Sequence, residues 1–432
     1  MHHDALPAPH AADVLVCGGG VAGTMAAVAS ARAGARTWLV ERHGFLGGNA
    51  TAGAVAQFNG WQSAAGRRVI AGLADEVVQR LRALGAARAH DVFTMSNGHR
   101  MDRVEYAPEV LKLVLDEMVL EAGVTPLLHA ALLDVDVHER RIAAVSVLCK
   151  GGPRTIVPRV AIDASGDIDL LHRAGAEFLP LDDGEALQPA TMMFRYGPID
   201  AAVWDATTPA QFAELARRGH AEGRLARAAL HAARDPYSGD GWFNIGRLAV
   251  DATDPLALTR AEMEGRRQAW QAAEFLRECV PGCAGGRLVS FGAQLGVRET
   301  RRMRGDHVLE ADELRRAERF PDTIAMGAYP IDIHPARGGG LHYETLGDDH
   351  AYAIPYRSLV PVSLDNALAI GRGLSASHAA HAAVRVMPTS MALGHAAGIA
   401  AAMAAAHPNG DVRGVDIARL QQRLRDGGAL LP

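Results

Sequence analysis

The chain is poor in cysteine and aromatic residues, has no excess of positive charge, and contains no long uninterrupted apolar run. Only four of its 432 residues are cysteine (Cys17, Cys149, Cys279, Cys283), too few and too scattered for a disulfide framework. Cys279 and Cys283 flank Val280-Pro281-Gly282, which is not C-x-x-C spacing and reads as a turn between two ordinary thiols. H-E-x-x-H and carboxylate clusters with ligand spacing are also missing, so no metal site is expected. Acidic residues number 49 against 44 basic ones, for a net charge of −5. That balance offers no global attraction to nucleic acid or to an anionic membrane. The longest apolar stretch, residues 391–406, is broken by Gly394, His395 and Gly398 and falls short of the roughly 20 residues a membrane span needs. It reads as a buried helix. With no charged segment leading into an apolar one at the start of the chain, the expected setting is cytoplasmic, without a membrane partner.

What is present suits a large globular protein: 49% hydrophobic and 22% charged residues can bury a core of one large or two medium domains. Residues 1–12 show no periodicity and are expected to be a disordered lead-in. From Asp13 an apolar strand-like run ends at Cys17, glycines follow, and residues 25–33 have helical composition ending at Gly34. Residues 35–40 return as a second strand. This is a βαβ unit, expected to be parallel and right-handed. Residues 132–137, 142–148 and 155–162 read as an antiparallel meander, and residues 182–288 as a partly helical insertion. The tail again mixes strand (366–370) and helix (389–406), so the chain is expected to return to its first domain.

Gly18-Gly19-Gly20-Val21-Ala22-Gly23 fits G-x-G-x-x-G between a strand and a helix. Gly18 permits the tight turn, Gly20 admits a pyrophosphate, Gly23 lets the helix pack on the sheet, and Val21 and Ala22 open the helix whose free N–H groups face the phosphates. Glu41 ends the second strand, where a carboxylate accepts hydrogen bonds from a ribose.

Glu41-Arg42-His43-Gly44-Phe45-Leu46-Gly47-Gly48-Asn49-Ala50-Thr51 then resembles the loop E-x-x-x-x-x-G-G-x-x-T of the FAD-dependent oxidoreductases, in the glutathione-reductase-like superfamily. Asp163-Ala164-Ser165-Gly166-Asp167 is similar to that family's second dinucleotide-contact turn. The closing flavin segment is matched by Ile354-Pro355-Tyr356-Arg357, by Gly371-Arg372, by Ser375, Ser377, His378, His381 and Arg385, and by Met387-Pro388-Thr389-Ser390-Met391-Ala392-Leu393-Gly394. Residues 296–302 and 329–334 are further family-like blocks. Where relatives carry Gly-Asp facing the ribityl chain, this sequence has Gly371-Arg372.

The resemblance implies an α/β fold: a Rossmann-type FAD-binding domain with a central parallel sheet and an antiparallel meander (13–180 and 350–432), plus an inserted α+β substrate domain (181–349). It implies FAD as cofactor, held by Gly18, Gly20, Val21, Ala22, Gly23, Glu41, Arg42, Gly47, Gly48, Asn49, Ala164, Ser165, Gly166, Gly371, Arg372, Pro388 and Thr389. A helix starting near Pro388 would aim its positive end at the flavin N1/C2 carbonyl edge. The implied reaction is two-electron oxidation of a small polar, carboxylate-bearing metabolite, with hydride passing to flavin N5. Arg298 and Arg385 are the candidate anion-holding groups within a wider set that includes Arg301, Arg302, Arg304, Arg337 and Arg357. His381, and after it His334, are the candidate proton acceptors. A flavin monooxygenase is the second reading, weakened by the lack of a separate nicotinamide fingerprint. A flavin-binding component of an electron-transfer or RNA-modifying assembly is the third.

Overall fold

The apolar run before the glycine turn forms the centre of the main sheet. The computed structural model describes residues 9–94, 100–181, 185–336 and 342–432. In it, β1 (His10–Cys17) pairs in parallel with β2 (Thr37–Val40) on one side and with strand Gly152–Asp163 on the other. Val14, Leu15 and Val16 are fully buried, as a parallel strand covered on both faces requires. Strand Thr125–Leu127 extends the sheet beyond β2. On the other side Gly152–Asp163 turns antiparallel into Arg141–Cys149 and then Ala131–His138, the expected meander. Ala367–Ala369 returns from the far end of the chain to pair in parallel with Gly152–Asp163.

β1 starts earlier than Asp13. His10, Ala11 and Ala12 pair with Ile156, Val157 and Pro158, and the His10 ring lies 4.8 Å from that of Trp38. The expected lead-in over 1–12 is corrected accordingly, because the long Gly152–Asp163 strand offers pairing partners that a polar start hides in the sequence; its residues 1–8 lie outside the described residues.

The crossover helix α1 (Val21–Arg32) is buried from Val21 through Ser30, and helix Met387–Ala405 is buried along nearly all its length. A helix apolar on every side belongs in the interior. Small residues make the contact between these two helices: a side chain on Gly394 would collide with the Ala22 carbonyl, and one on Gly398 with the Ala26 carbonyl. Because the paired positions rise together, the helices run in the same direction and both N-termini lie at the C-terminal end of β1. Among the described residues no single helix is long and apolar enough to cross a membrane; helices His378–Val384 and Met387–Ala405 bend by 90° at their junction.

A second core draws on residues 190–297, among them Phe194, Tyr196, Phe243 and Phe275. Strands Ala232–Arg234, Gly241–Phe243, Phe194–Gly197 and Arg287–Phe291 form its antiparallel sheet, with helix Pro255–Cys279 packed alongside. Leu309, Leu314, Ile324 and Ile331 belong instead to the first core, although the sequence reading placed 181–349 wholly in the insertion. Composition misled at this boundary because short, fully buried strands such as Thr323–Gly327 carry no alternation.

The close approach of the two parallel helices makes a testable prediction. Gly398→Val has no room and should cost about 1–3 kcal/mol, lowering the thermal midpoint by roughly 1–3 °C in a chain of this size. A melting temperature equal to that of the wild type would show that the helices do not meet through this glycine.

Candidate active site

The C-terminal end of β1 opens into a cradle built from backbone. Gly18 has a φ of +106°, and a side chain there would collide with Ala164. One on Gly23 would strike the Gly18 carbonyl. At Gly20 the situation is reversed: a Cβ would meet nothing nearer than Gly48 Cα at 4.0 Å. Gly20 is also the N-cap of α1, and no side chain caps that helix, so its first amides remain available to an anion. Val21 and Ala22 form the first turn, with Ala22 packed toward Gly371.

Just beyond β2, buried Glu41 accepts the Gly19 N–H at 2.7 Å and the His43 N–H at 2.8 Å. The following loop folds back onto the glycine turn: the Gly47 N–H donates to the Gly19 carbonyl at 2.7 Å, and Gly48 abuts Gly20. Asn49 donates through Nδ2 to the Val297 carbonyl (3.0 Å). Arg42 is exposed and donates to Gln294 Oε1 (2.7 Å).

Ala164 lies beneath Gly18, and Ser165 is drawn into the turn, its N–H and hydroxyl both donating to Asp163. Burial pushes the Asp163 carboxyl up to about 6 despite these hydrogen bonds. Gly166 faces the guanidinium of Arg372, which donates to Asp167 Oδ1 (2.8 Å) and to the Val297 carbonyl (2.9 Å). Asp167 thus brings a carboxylate to the place where Arg372 stands instead of an acid. At the head of helix Met387–Ala405, Pro388 occupies the first turn, no side chain caps the N-terminus, and Thr389 Oγ1 is buried without a partner. An uncapped α1, open space at Gly20, a ribose-ready carboxylate and a second uncapped helix end fit an adenine dinucleotide joined to a flavin.

A cavity of about 220 Å³ adjoins this cradle, bordered by Asn49, Arg372 and Met387 on the cradle side. Arg298, Arg385 and His334 all line it. The Arg298 guanidinium donates to the Pro189 carbonyl and to Thr191 Oγ1 (3.0 Å). Arg385 donates to Gln188 Oε1 (3.2 Å) and to the Asp332 carbonyl (3.4 Å). His334 Nε2 sits 3.1 Å from Asp332 Oδ2, which also accepts the Tyr329 hydroxyl at 3.1 Å. Burial, then the charge of Arg298, pushes the His334 imidazole down to about 3 against the pull of Asp332. Burial opposes ionisation of Asp332 as well, but the His334 hydrogen bond and the charges of Arg385 and Arg298 outweigh it and hold the carboxyl below its usual range. Gln57 Oε1, Asn59 Oδ1, Arg227 Nε, Asn244 Oδ1, Asp332 Oδ1 and Arg385 Nε are buried without partners, and all six residues line this cavity. Unmet polar atoms converging on one space mark a ligand site.

His381 is not in the cavity. It is fully buried, with Nε2 2.8 Å from the Arg372 carbonyl and Nδ1 3.9 Å from Glu299 Oε1. Burial pushes it down to about 3. The expectation that it takes a substrate proton is therefore corrected: its ring serves the backbone of Arg372. Other arginines of the expected set are committed elsewhere, Arg301 to Asp169 (3.2 Å), Arg302 to Glu299 (3.3 Å), Arg304 to Glu177 (3.7 Å) and Arg357 to Asp322 (3.0 Å). Arg337 lies outside the described residues. Sequence reasoning missed Arg227, His231, Gln57, Asn59, Asn244 and Asp332. Asp332 had a signal, being inside the family-like block 329–334; the others sit in short strands and loops where no pattern distinguishes them.

The two glycines of the turn make opposite demands, which separates binding from folding. Gly20→Val should fold with a near-native melting curve yet purify without flavin absorbance, because its side chain enters only the pyrophosphate space. Gly23→Val should lose both flavin and stability. Full flavin content in the Gly20 variant would defeat the assignment of this cradle.

Residues 13–424 match the family model described as FAD dependent oxidoreductase. No curated protein gives a significant match. Among solved structures, a geranylgeranyl bacteriochlorophyll reductase-like protein from Thermoplasma acidophilum superposes with a TM-score of 0.50 at 11% identity, covering 97% of this chain and 84% of that one. The flavin-dependent brominase Bmp2 gives 0.46 at 13% identity, with 96% and 83% covered. The L-amino acid deaminase from Proteus myxofaciens gives 0.43 at 12% identity, with 71% and 84% covered. The chain belongs to the FAD-dependent oxidoreductase family, and FAD is its cofactor.

Proposed function

We propose that this enzyme carries out two-electron oxidation of a small carboxylate-bearing molecule in the Arg298–Arg385–His334 cavity. One observation carries the reading: two half-buried guanidiniums and an Asp-paired imidazole share the cavity that abuts the uncapped end of helix Met387–Ala405. Bound FAD supplies the electron-accepting chemistry. Arg298 and Arg385 hold the substrate carboxylate, since guanidinium stays charged when buried and presents paired donors. In the tautomer that donates Nε2–H to Asp332, His334 keeps Nδ1 as a proton acceptor. Asp332 fixes that tautomer and steadies the imidazolium once it forms. Helix Met387–Ala405 directs its positive end toward the cavity and stabilises negative charge that develops there.

The test is anaerobic mixing of the flavin-loaded protein with panels of hydroxy and amino acids while the visible flavin band is followed. With a substrate that bleaches it, Arg298→Met should raise KM by roughly 100-fold or more. His334→Ala should lower the rate of bleaching by about 10²–10⁴ with flavin retained. The base is already neutral above about pH 3, so kcat/KM should stay level from pH 8 down to 5, with no step at the ordinary histidine value near 6.5. A fall centred near 6.5, or bleaching that requires NADPH with substrate altered only in oxygen, would overturn the reading.

A further inference from the structure

The cavity holds more positive charge than one carboxylate balances. Four arginines line it, Arg227, Arg298, Arg372 and Arg385, with Asp332 as the one lining carboxylate among the described residues. Arg372 is neutralised by Asp167 at 2.8 Å. None of the other three forms an ion pair with a carboxylate side chain among the described residues. Three guanidiniums against Asp332 leave two positive charges, and the two lining histidines add none at neutral pH, since burial pushes His334 down to about 3 and His231 to about 4. Charge of one sign gathered in a partly enclosed cavity calls for a counter-ion.

Arg227 is set apart from the other two. It comes from the segment between helix Pro209–Ala221 and strand Ala232–Arg234, within the second core's part of the chain. Its Nη2 donates to the Asn244 carbonyl (2.9 Å), while its Nε is buried without a partner. Asn244 in turn donates its N–H to the His231 carbonyl (2.9 Å), which puts Arg227 at the end where His231 meets Gln57 at 2.9 Å, while Arg298 and Arg385 are held by Pro189, Thr191 and Gln188. Each end then has its own guanidinium.

We propose that the substrate is a short dicarboxylate, its first carboxylate held by Arg298 and Arg385 and its second by Arg227. This rests on the oxidation reading above and adds the substrate class and the residue that selects it. A monocarboxylate leaves Arg227 without an acidic partner; a second acidic group matches it. Discrimination between acids of equal chain length therefore comes from Arg227, while Arg298 serves both classes.

The test is equilibrium binding to the flavin-loaded protein at constant ionic strength, read as perturbation of the visible flavin spectrum. The probes are malonate, succinate and glutarate against acetate, propionate and butyrate. Wild-type protein should bind its best dicarboxylate at least about 30-fold tighter than any of the monocarboxylates. Arg227→Gln should erase that preference while changing monocarboxylate affinity less than about 3-fold, Arg227→Lys should restore most of it, and Arg298→Gln should weaken both classes. Flavin content and the melting curve establish that each variant is folded. Equal binding of both classes by the wild type, or equal weakening of both by Arg227→Gln, overturns the dicarboxylate assignment and leaves carboxylate recognition by Arg298 standing. Failure of every carboxylate to bind the wild type overturns both.

Discussion

Everything at the site depends on two helices that approach closely enough for backbone to touch backbone. Gly394 and Gly398 lie against the carbonyls of Ala22 and Ala26, and only residues without side chains allow that approach. The contact joins the first and last parts of the chain into one core and, because the helices are parallel, brings two uncapped helix N-termini to the same end of the sheet. Partial positive charge from both is thereby aimed at one elongated site. A dinucleotide with anionic phosphates at one end and a ring that gains negative charge at the other matches that arrangement along its length.

The cavity beyond the second helix end is built against stability. Like charges gathered there repel one another, and unmet polar atoms add desolvation costs of about 1–3 kcal/mol each. Arg298 records this: burial, then Arg385 and Arg227, all act to lower its pKa. Guanidinium resists giving up its proton, so the proposed ligand anion, and not titration, would relieve the strain. Such departures from ordinary packing rules collect where a protein binds something.

Much of the first domain was legible in the sequence because its signals are local. Strand, glycine turn, helix and terminal acid occur in 29 consecutive positions from Asp13 to Glu41, and each glycine answers to its own steric demand. The meander was legible because its strands are long and separated by turn residues. The antiparallel sheet of the second core was not, since Ala232–Arg234 and Gly241–Phe243 have three residues each and show no period. Arg298 and Arg385, singled out in the sequence, line the cavity, whereas Arg227 had no distinguishing neighbours and is placed by a loop whose path only the fold reveals.

The misplacement of His381 has a physical explanation that also shows how the cavity is held. His378 and His381 are three apart on one short helix and so share a face, and that face turns inward to Glu299, at 2.9 and 3.9 Å. Glu299 is fully buried. Burial opposes its charge, but the His378 hydrogen bond and the charge of Arg302 act against it and hold the carboxyl below its usual range. From this one carboxylate two paths lead back to the cavity. Its Oε2 accepts the Gln188 N–H (3.2 Å), and Gln188 Oε1 in turn accepts from Arg385. Its Oε1 neighbours His381, which contacts the Arg372 carbonyl. Glu299 is also next in sequence to Arg298. A single buried acid thus ties three of the four cavity arginines to one rigid point, which is how charges that repel one another keep a fixed geometry. The histidine nearest the flavin segment in sequence belongs to that support, while His334, the proposed proton acceptor, comes from the block at 329–334.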